Sequence, residues 1–465
     1  MKIKTIPVNE LPDLTDAERN QLRELVKIYE KHRAANAQKD RYYEGHISLN
    51  EVNLGLAIPE EIRKLEVGCS WGSKTVDVLA ARSMFDGFVT EAGTEQDELN
   101  AIIKGNNLIS EYSKATRDEL KYGCTFATLS ADRDLGCKIR FHSPRGAAAL
   151  WDGSLGRISC GFAIIDIDVD KDEVEPSIVN FYTDTDIIVF TRADRIWTTT
   201  RYPHRMGRPL MEPLIYNATA EKPLGRSRIK EPIRRLIQGY VRTIANASIG
   251  LEFSTAPQKY LLGVTDEQYD AVVNQKFRQY VGSIITSTTN PETGEKPSFG
   301  QLQQGTIAPH VEMIRILATQ FSAATGLSVT DTGVVNDANP SSSDAILAQS
   351  QTLIAMAEQL NAANGKSLEM IALMALAISR NETLADLTDA DKTIVAHFKN
   401  PAMPSVAVTA DAAIKIASAR PGFAGTDTFL EMIGFDQADI RRIKNQELRN
   451  EGMEIFGEMN GDTIS

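Results

Sequence analysis

The segment EVGCSWGSKT, residues 66 to 75, has residue types that could bind the phosphates of a nucleotide. Gly68 is followed by four residues and then by Ser73, Lys74 and Thr75, close to the spacing of a phosphate-binding loop. Such a loop would make the chain an ATPase or a GTPase. However, the motif needs a glycine where Ser73 stands, because the backbone there approaches the phosphates. The preceding stretch PEEIRKLEV is charged and favours a helix, whereas the loop must follow a buried strand.

An apolar stretch that ends in acidic residues, CGFAIIDIDVDKDE, offers a second possible site. Asp166 could hold magnesium beside a nucleotide, and Asp166, Asp168 and Asp170 also begin a calcium-loop pattern. That pattern then fails, because Lys171 replaces its glycine and Ser177 stands where a calcium loop needs Glu. Alternation with apolar residues puts the three acids on one face of a strand. We therefore predict a sheet with one solvent-exposed acidic face, and a weak divalent-ion site there stays open.

The remaining residue types that carry chemistry are scattered along the chain. The sequence has six histidines without an H-x-x-x-H pair and four cysteines without a CxxC pair. We also predict that it lacks the G-x-S-x-G motif of a nucleophile elbow. In addition, Trp71 would crowd a nucleotide bound at residues 66–75. These observations predict no catalytic residue, no cofactor and no bound metal, and they make Lys74 and Thr75 the start of a helix. An NTPase that uses Lys74, Thr75 and Asp166 is kept as the enzymatic alternative.

Composition and charge set further limits. Apolar residues make up 42% and charged residues 24% of the 465 residues, which is ordinary for a globular protein with a sizeable core. The formal net charge is −12, whereas tight DNA binding depends on Lys and Arg that neutralise phosphates. Such a chain could surround DNA without gripping it. No membrane partner is expected, because the longest apolar run, at 368–378, is too short to span a bilayer and contains Glu369.

Hydrophobic periodicity divides the chain into helical and β-rich parts. Short runs rich in Phe, Ile, Val and Thr, broken by turn signals, predict an antiparallel β-region from residue 124 to residue 200. Apolar residues at helical spacing predict helices at about 15–37, 73–85, 94–121, 228–254, 308–325 and 343–380. Gly365 is a candidate kink in the last of these helices, and short helices follow it towards the end of the chain. The predicted fold class is α+β.

A run of small residues, GLSVTDTGVVNDANPSSSD, separates two of the predicted helices. Gly333, Asn336, Asp337 and Asn339 tolerate unusual backbone angles. The run is much longer than the roughly two to eight residues that usually connect helices. Its length favours a functional loop over a simple connection.

Several segments, taken in chain order, resemble portal proteins of tailed bacteriophages, in particular the group related to the portal of a long-tailed Bacillus phage. They are RYYEGH, YGCTFATLS, HSPRGAAALWDGSLGRISCGFAI, LGRSRIKEPIRRLIQGYVRTIANASIGLEFSTAPQKYLLG and TGLSVTDTGVVNDANPSSSDAI. The last two segments are the most specific. The stretch YPHRMGRPLMEP departs from the N-P-L-G-R-x-P-V run that is common in relatives, since Met206 precedes its Gly-Arg pair.

The resemblance implies a ring-forming α+β fold with a helical stem, an α/β clip, an α/β wing and a helical crown. The implied domains are a wing at 1–225, stem helices at 226–255 and 308–326, a clip at 256–307, a tunnel loop at 327–343, a long kinked helix that returns to the wing at 344–404, and a crown at 405–465. The tunnel loop would contain Gly333, Asn336, Asp337 and Asn339.

The resemblance also implies a function without catalysis. The chain would form a ring of twelve, or of thirteen when isolated, at one capsid vertex of the virion after assembly in the host cytoplasm. Double-stranded DNA would pass through its channel during packaging, retention and ejection, without sequence specificity. Its protein partners would be the terminase large subunit, a head–tail adaptor, and the major capsid and scaffolding proteins. Another ring-forming head component, such as an adaptor, is the structural alternative, although adaptors are usually much shorter chains.

The start of the first implied stem helix is strongly basic. Its cations are Arg226, Arg228, Lys230, Arg234, Arg235 and Arg242. Three interpretations stay open: these side chains face DNA, pair with acids of a neighbouring subunit, or face the capsid.

Overall fold

Helices at both ends of the chain enclose a central run of antiparallel strands, which confirms the α+β class. The structure is a computed structural model that describes residues 4–48, 66–90, 96–170, 173–255, 259–262, 294, 296, 298–301, 306–334, 343–402, 406–435, 439–440 and 442–450. The helices in this part of the chain are α1 (Asp16–Glu44), α2 (Trp71–Ala80), α3 (Gln96–Gly105), α4 (Leu108–Tyr122), α5 (Glu231–Thr255), α6 (Ala308–Thr325), α7 (Ser343–Arg380), α8 (Val406–Ala419) and α9 (Asp427–Ile433).

The strands of the described residues form one large and several small antiparallel sheets. They are β1 (His46–Ser48), β2 (Glu66–Gly68), β3 (Phe85–Val89), β4 (Cys124–Asp132), β5 (Gly136–His142), β6 (Ala147–Asp152), β7 (Arg157–Asp170), β8 (Glu173–Tyr182), β9 (Asp186–Ala193), β10 (Ile196–Pro203), β11 (Met211–Ile215), β12 (Lys259–Leu262), β13 (Ser298–Gln301) and β14 (Val395–Phe398). The largest sheet has the order β10-β9-β8-β7-β6, and a second has the order β11-β4-β5. The predicted antiparallel β-region is therefore confirmed.

The first helix shows how local sequence sets an element's ends. The Thr15 hydroxyl accepts a hydrogen bond from the Glu18 amide, and the Glu18 carboxylate accepts one from the Thr15 amide, which makes a capping box. The helix was predicted to end at residue 37 but continues to Glu44. It stops at Gly45, whose φ of 78° is left-handed and suits a glycine.

The predicted start of the first stem helix was wrong. Residues 226–230 are not helical, and α5 begins at Glu231. The reason is Pro232, which lacks an amide proton and fits only the first helical turn, while the residue before a proline is biased away from the helical region. Arg226, Arg228 and Lys230 therefore precede the helix and do not form part of its charged face.

Three clusters of buried apolar side chains hold the described elements together. The first lies between the β11-β4-β5 sheet, α4 and the second half of α7. The second joins α2, α5, α6 and the first half of α7. The third packs α1 onto the large sheet. Because α7 contributes Leu353, Ala357 and Leu360 to the second cluster and Leu368 to the first, it links the sheet to the paired helices α5 and α6.

The acidic strand differs from its predicted form. Asp166 and Asp168 are exposed, as expected, but Ile167 and Val169 are also 41% and 58% exposed. Both faces of this end of β7 are therefore open to solvent. This end of the strand also lies beyond its pairing with β6, which stops at Ala163. The prediction that only the acidic face of this strand is exposed to solvent was therefore wrong at this end of β7.

Candidate functional site

Trp71 joins three segments that are far apart in the sequence. Its side chain is 2% exposed, and its ring lies 4.4 Å from the ring of Tyr240 on α5 and 4.6 Å from that of Phe321 on α6. Its indole nitrogen donates a buried hydrogen bond to the carbonyl of Thr332, 3.1 Å away. Trp71 therefore fixes the start of α2 against both paired helices and against the segment that follows α6.

Arg228 connects the same elements, α2 and the end of α6, by hydrogen bonds. This side chain is 4% exposed, and its guanidinium donates to the carbonyls of Thr75 in α2 and of Thr325, the last residue of α6. It also donates to the Tyr216 hydroxyl at 3.1 Å and contacts the Met356 sulfur at 3.5 Å. The last carbonyls of a helix carry partial negative charge, so they suit a buried cation. Arg228 was predicted to lie on a charged helix face, and its burial corrects that prediction.

The segment after α6 begins as a folded turn. Gly326 ends the helix with a φ of 72° and donates its amide proton to the Ser322 carbonyl. Leu327 is 3% exposed, and Ser328 donates from both its amide and its hydroxyl to the Asp331 carboxylate. Residues Thr330–Thr332 form a 3-10 turn. The first half of the predicted tunnel loop is therefore held in place by hydrogen bonds and by Trp71.

Of the four predicted tunnel-loop residues, Gly333 lies in the described part of the chain, which stops at residue 334 and resumes at residue 343. Gly333 has a φ of 79°, a left-handed value that glycine adopts without strain. An added Cβ at this position would meet no atom within 4 Å. Asn336, Asp337 and Asn339 lie outside the described residues. The chain is described again from Ser343, where α7 begins.

The phosphate-loop candidate has a packing role. Residues from Trp71 onward are already helical, so Lys74 lies on the exposed side of α2 instead of at the end of an open loop. The Thr75 side chain is fully buried, and its hydroxyl donates to the Trp71 carbonyl at 2.8 Å. A hydroxyl used in this way is turned away from any metal-bound phosphate. Asp166, the third residue of the enzymatic alternative, lies on β7 in a different sheet from β2, which precedes α2.

Gly72 explains why this stretch is rich in small residues. A Cβ atom at Gly72 would lie 1.8 Å from the backbone oxygen of Tyr42, so only glycine lets α2 approach α1. At Gly68 an added Cβ would meet nothing within 4 Å. The glycine that matters for folding is therefore Gly72, and Gly68, which the phosphate-loop pattern requires, has no packing constraint.

The same stretch contains the spacing G-x-S-x-G from Gly68 to Gly72, so the prediction that the sequence lacks this motif was wrong. In a nucleophile elbow the serine sits on a strained turn between a sheet strand and a helix. Ser70 has an unstrained φ of −82°. Among the described residues, β2 pairs only with β1 in a two-stranded sheet, so it does not form the broad sheet on which such an elbow is built.

The described part of the chain has neither a metal-binding cluster nor a membrane-spanning helix. There, no three His, Cys, Asp or Glu side chains come together as a metal site, and the Asp170 side chain is not among those described. No helix of the described residues is long and apolar enough to cross a membrane.

The outer surface of α6 carries uncovered apolar side chains. Val311, Met313 and Ile316 are each 45% exposed, whereas Leu317 and Phe321 are buried against α5 and α2. At 3.6 residues per turn, Met313 and Ile316 share one side of the helix and Val311 lies on the opposite side of the buried face. The paired helices therefore present apolar groups on two flanks.

The order of segments along the chain is that of a class of structural proteins of virus particles. The chain belongs to the phage portal protein family described as SPP1 Gp6-like, whose family model matches residues 22–452. The chain is thus a portal protein, a member of a family of structural proteins of the virion's portal vertex. A search among curated proteins finds no match.

Two solved structures are similar to this chain at low sequence identity. A chain from the virion of a native gene transfer agent particle has a TM-score of 0.45 and 11% identity, and the match covers 78% of this chain and 89% of that one. A chain from the neck of the native particle, computed with C12 symmetry, gives the same TM-score and coverages with 12% identity. The assignment to the family depends on the sequence match.

Proposed function

We propose that the chain forms a closed ring of twelve subunits through which double-stranded DNA passes during packaging, retention and ejection. The ring is assembled in the host cytoplasm and occupies one vertex of the capsid. The observation that carries this proposal is the helix pair α5–α6, which leaves apolar side chains uncovered on two flanks of α6. A ring of identical subunits needs two different contact surfaces on each copy, and these flanks supply them.

The proposed domains follow the described elements. Helices α5 and α6 form the stem, and β12 with β13 forms the described part of the clip at 256–307. The wing contains α1 to α4, β1 to β11 and the second half of α7, and the crown contains α8, α9 and the helical residues up to 450. The long helix α7 then connects the stem to the wing sheet, so a displacement of either one is transmitted to the other.

The tunnel loop, residues 327–343, is proposed to narrow the channel. Its first part is fixed to α2 by Trp71, and we assign the approach to DNA to the sequence that contains Asn336, Asp337 and Asn339. These short polar side chains present no cation to the phosphates. Since every copy has a formal charge of −12, a channel lined by such subunits repels DNA and favours sliding. Charge reversal by Asp337→Lys is expected to alter DNA retention without affecting ring assembly.

The proposed protein partners are those of a portal vertex. The terminase large subunit docks on the clip during packaging and a head–tail adaptor replaces it afterwards, while capsid and scaffolding proteins surround the wing. These partners are supported by membership of the family. Isolated rings of thirteen subunits are expected beside rings of twelve, because closure of the ring then lacks the constraint of the capsid.

A double variant of α6 tests the observation on which the ring depends. Met313→Glu with Ile316→Glu places two charges on one flank, and these charges would be desolvated between subunits. We expect the variant to keep its helical content by circular dichroism but to sediment as a monomer. Lys104→Glu with Lys392→Glu, at two exposed positions outside α6, is the control and should still assemble. Assembly of the double variant at the wild-type concentration would refute the assigned interface.

A further inference from the structure

A basic cleft lies beside the first helix, where α1, β6 and the segment before α5 meet. It has a volume of about 650 Å³ and contains six Lys and Arg side chains. These cations are Lys31, Lys39, Lys222, Arg226, Lys230 and Arg234. The floor of the cleft is partly apolar and includes Tyr122, Phe126 and Ala148. In a chain with a net charge of −12, such a concentration of positive charge needs a separate explanation.

The carboxylates around the cleft are largely engaged elsewhere. Asp40 pairs with Lys121 at 3.1 Å and with Arg145 at 3.0 Å, and Glu231 pairs with Arg235 at 2.6 Å. Among the described residues, none of the six cations forms an ion pair with a carboxylate. Glu221 is the other acid in the lining. The cleft therefore has excess positive charge that a single copy of the chain does not neutralise.

Cations lie close to one another in the cleft. Burial first, and then the nearby cations Lys39, Lys31 and Lys222, lower the pKa of His32. Lys39 is held inside the cleft by hydrogen bonds from its ammonium group to the Asn36 side chain and to the Tyr122 carbonyl, at 3.1 and 3.0 Å. Because the six cations have no carboxylate partner among the described residues, the site attracts an anionic group.

The large sheet carries a surface of opposite charge. We call residues 166–169 of β7 the acidic arm: Asp166, Ile167, Asp168 and Val169 are all exposed. The arm lies beyond Ile164, whose amide still donates to the Gly146 carbonyl, and its four residues span roughly 13 Å. Neither Asp166 nor Asp168 forms an ion pair within the described residues.

The half of the acidic arm that contains Asp168 and Val169 is fixed in its own subunit, because these residues pair with Glu175 and Val174 of β8. On the paired strand β8, Glu175 forms ion pairs with Lys4 at 2.6 Å and with Arg192. The Lys4 amide also donates to the Val174 carbonyl at 2.7 Å. The arm is therefore a rigid ribbon that presents its acids and its two apolar side chains outward.

We propose that the acidic arm of one subunit docks in the basic cleft of the next copy of this chain. The charges are complementary, and Ile167 and Val169 match the apolar floor of the cleft, a feature that a nucleic-acid backbone would not use. An arm and a cleft at different places on one chain make a head-to-tail contact, which is the kind that closes into a ring. The inference rests on the proposed function, because it assigns one contact of the ring.

A charge swap tests the contact. The cleft variant is Lys222→Glu with Lys230→Glu, two exposed positions, and the arm variant is Asp166→Lys with Asp168→Lys. Each variant alone should lower the apparent assembly constant by roughly tenfold or more, because like charges then face each other. The chain that carries all four substitutions should recover assembly, since its arm and cleft are again opposite in charge. Lys104→Glu with Lys392→Glu, on other exposed positions, is the matched control and should assemble normally.

Assembly is measured by mass photometry of the full chain at about 0.1 M salt and again at about 1 M salt, where exposed charges are screened. Loss in both single-surface variants with recovery in the combined chain supports the contact. Wild-type assembly of either variant overturns it, and so does a cleft variant that assembles but loses binding to a DNA duplex in a gel shift. If the wild-type chain forms no rings at all, it is the proposed function that fails.

Discussion

Glu119 provides a test of the folded core that is independent of assembly. This carboxyl group on α4 is fully buried, and the Asn364 side-chain amide donates a hydrogen bond to one of its oxygens at 2.8 Å. Within the described residues, the other oxygen, Oε1, and the Asn364 Oδ1 atom have no hydrogen-bond partner. Burial raises the pKa of Glu119 from 4.5 to about 8, although the bond from Asn364 lowers it. We therefore expect Glu119 to be protonated in the folded chain at neutral pH.

The sign of the resulting pH dependence follows from proton binding. Between pH 4.5 and about 8 the folded chain keeps a proton that the unfolded chain releases, so the free energy of unfolding falls as pH rises. The slope is about 1.4 kcal/mol per pH unit, and the whole interval amounts to at most about 5 kcal/mol. Below pH 4.5 and above about 8 the contribution of Glu119 is constant.

Replacement by glutamine removes the titration while it keeps the shape of the side chain. The difference in unfolding free energy between Glu119→Gln and the wild type should grow in favour of the variant from pH 5.5 to pH 8. Urea unfolding, followed by tryptophan fluorescence at one protein concentration, measures this difference at each pH. Glu111→Gln, on the same helix but at the surface beside Lys114, is the matched control for removal of a carboxylate from α4. A pH-independent difference for Glu119→Gln would refute the assignment of a buried protonated carboxyl.

Three further predictions concern the junction around α2 and the pair of strands β3 and β14. Gly72→Ala should destabilise the chain by about 1–3 kcal/mol or more in urea unfolding, because of its clash with α1, while Gly68→Ala should be tolerated; a phosphate-binding loop would instead be sensitive at Gly68. Trp71→Phe keeps an aromatic ring but leaves a buried carbonyl without its donor, so it should cost about 1–3 kcal/mol and increase proteolysis of the segment after α6. Asp86 raises the pKa of His397, 3.6 Å away, and the stability from this pair is present below about pH 6.5 and is lost as pH rises; Asp86→Asn should therefore lower the melting temperature more at pH 6 than at pH 8.5.

Regular patterns in the sequence predicted the regular parts of the fold. The antiparallel region, α6 and the range of α7 follow from periodicity. The predicted helix at 94–121 is instead two helices, α3 and α4, because Asn107 adopts a left-handed backbone between them. Periodicity reports which face of a helix is apolar, and it does not report a single residue that interrupts the helix.

Long-range packing could not be predicted from local sequence. Arg228 lies among five other cations in the sequence, and nothing local indicates that it alone is buried at the end of α6. In the sequence, Gly72 is consistent with a phosphate-binding loop. The structure shows that it is needed because the backbone of Tyr42 leaves no room for a side chain. From the sequence, Trp71 indicates only that a nucleotide would be crowded at residues 66–75. Its packing role could not be predicted, because its contacts come from residues more than 160 positions away. One sequence feature does point to this junction: Trp71 and Gly72 stand together at the start of a short predicted helix, and α5 has an apolar face that needs a partner.

Imaging of the purified full-length chain by negative-stain electron microscopy tests the central claim most directly. The account predicts top views that average to closed rings of twelve or thirteen subunits around a central hole. Particles that stay monomeric or dimeric over a wide range of protein concentration and salt would contradict the proposal that this chain builds a DNA channel by self-assembly.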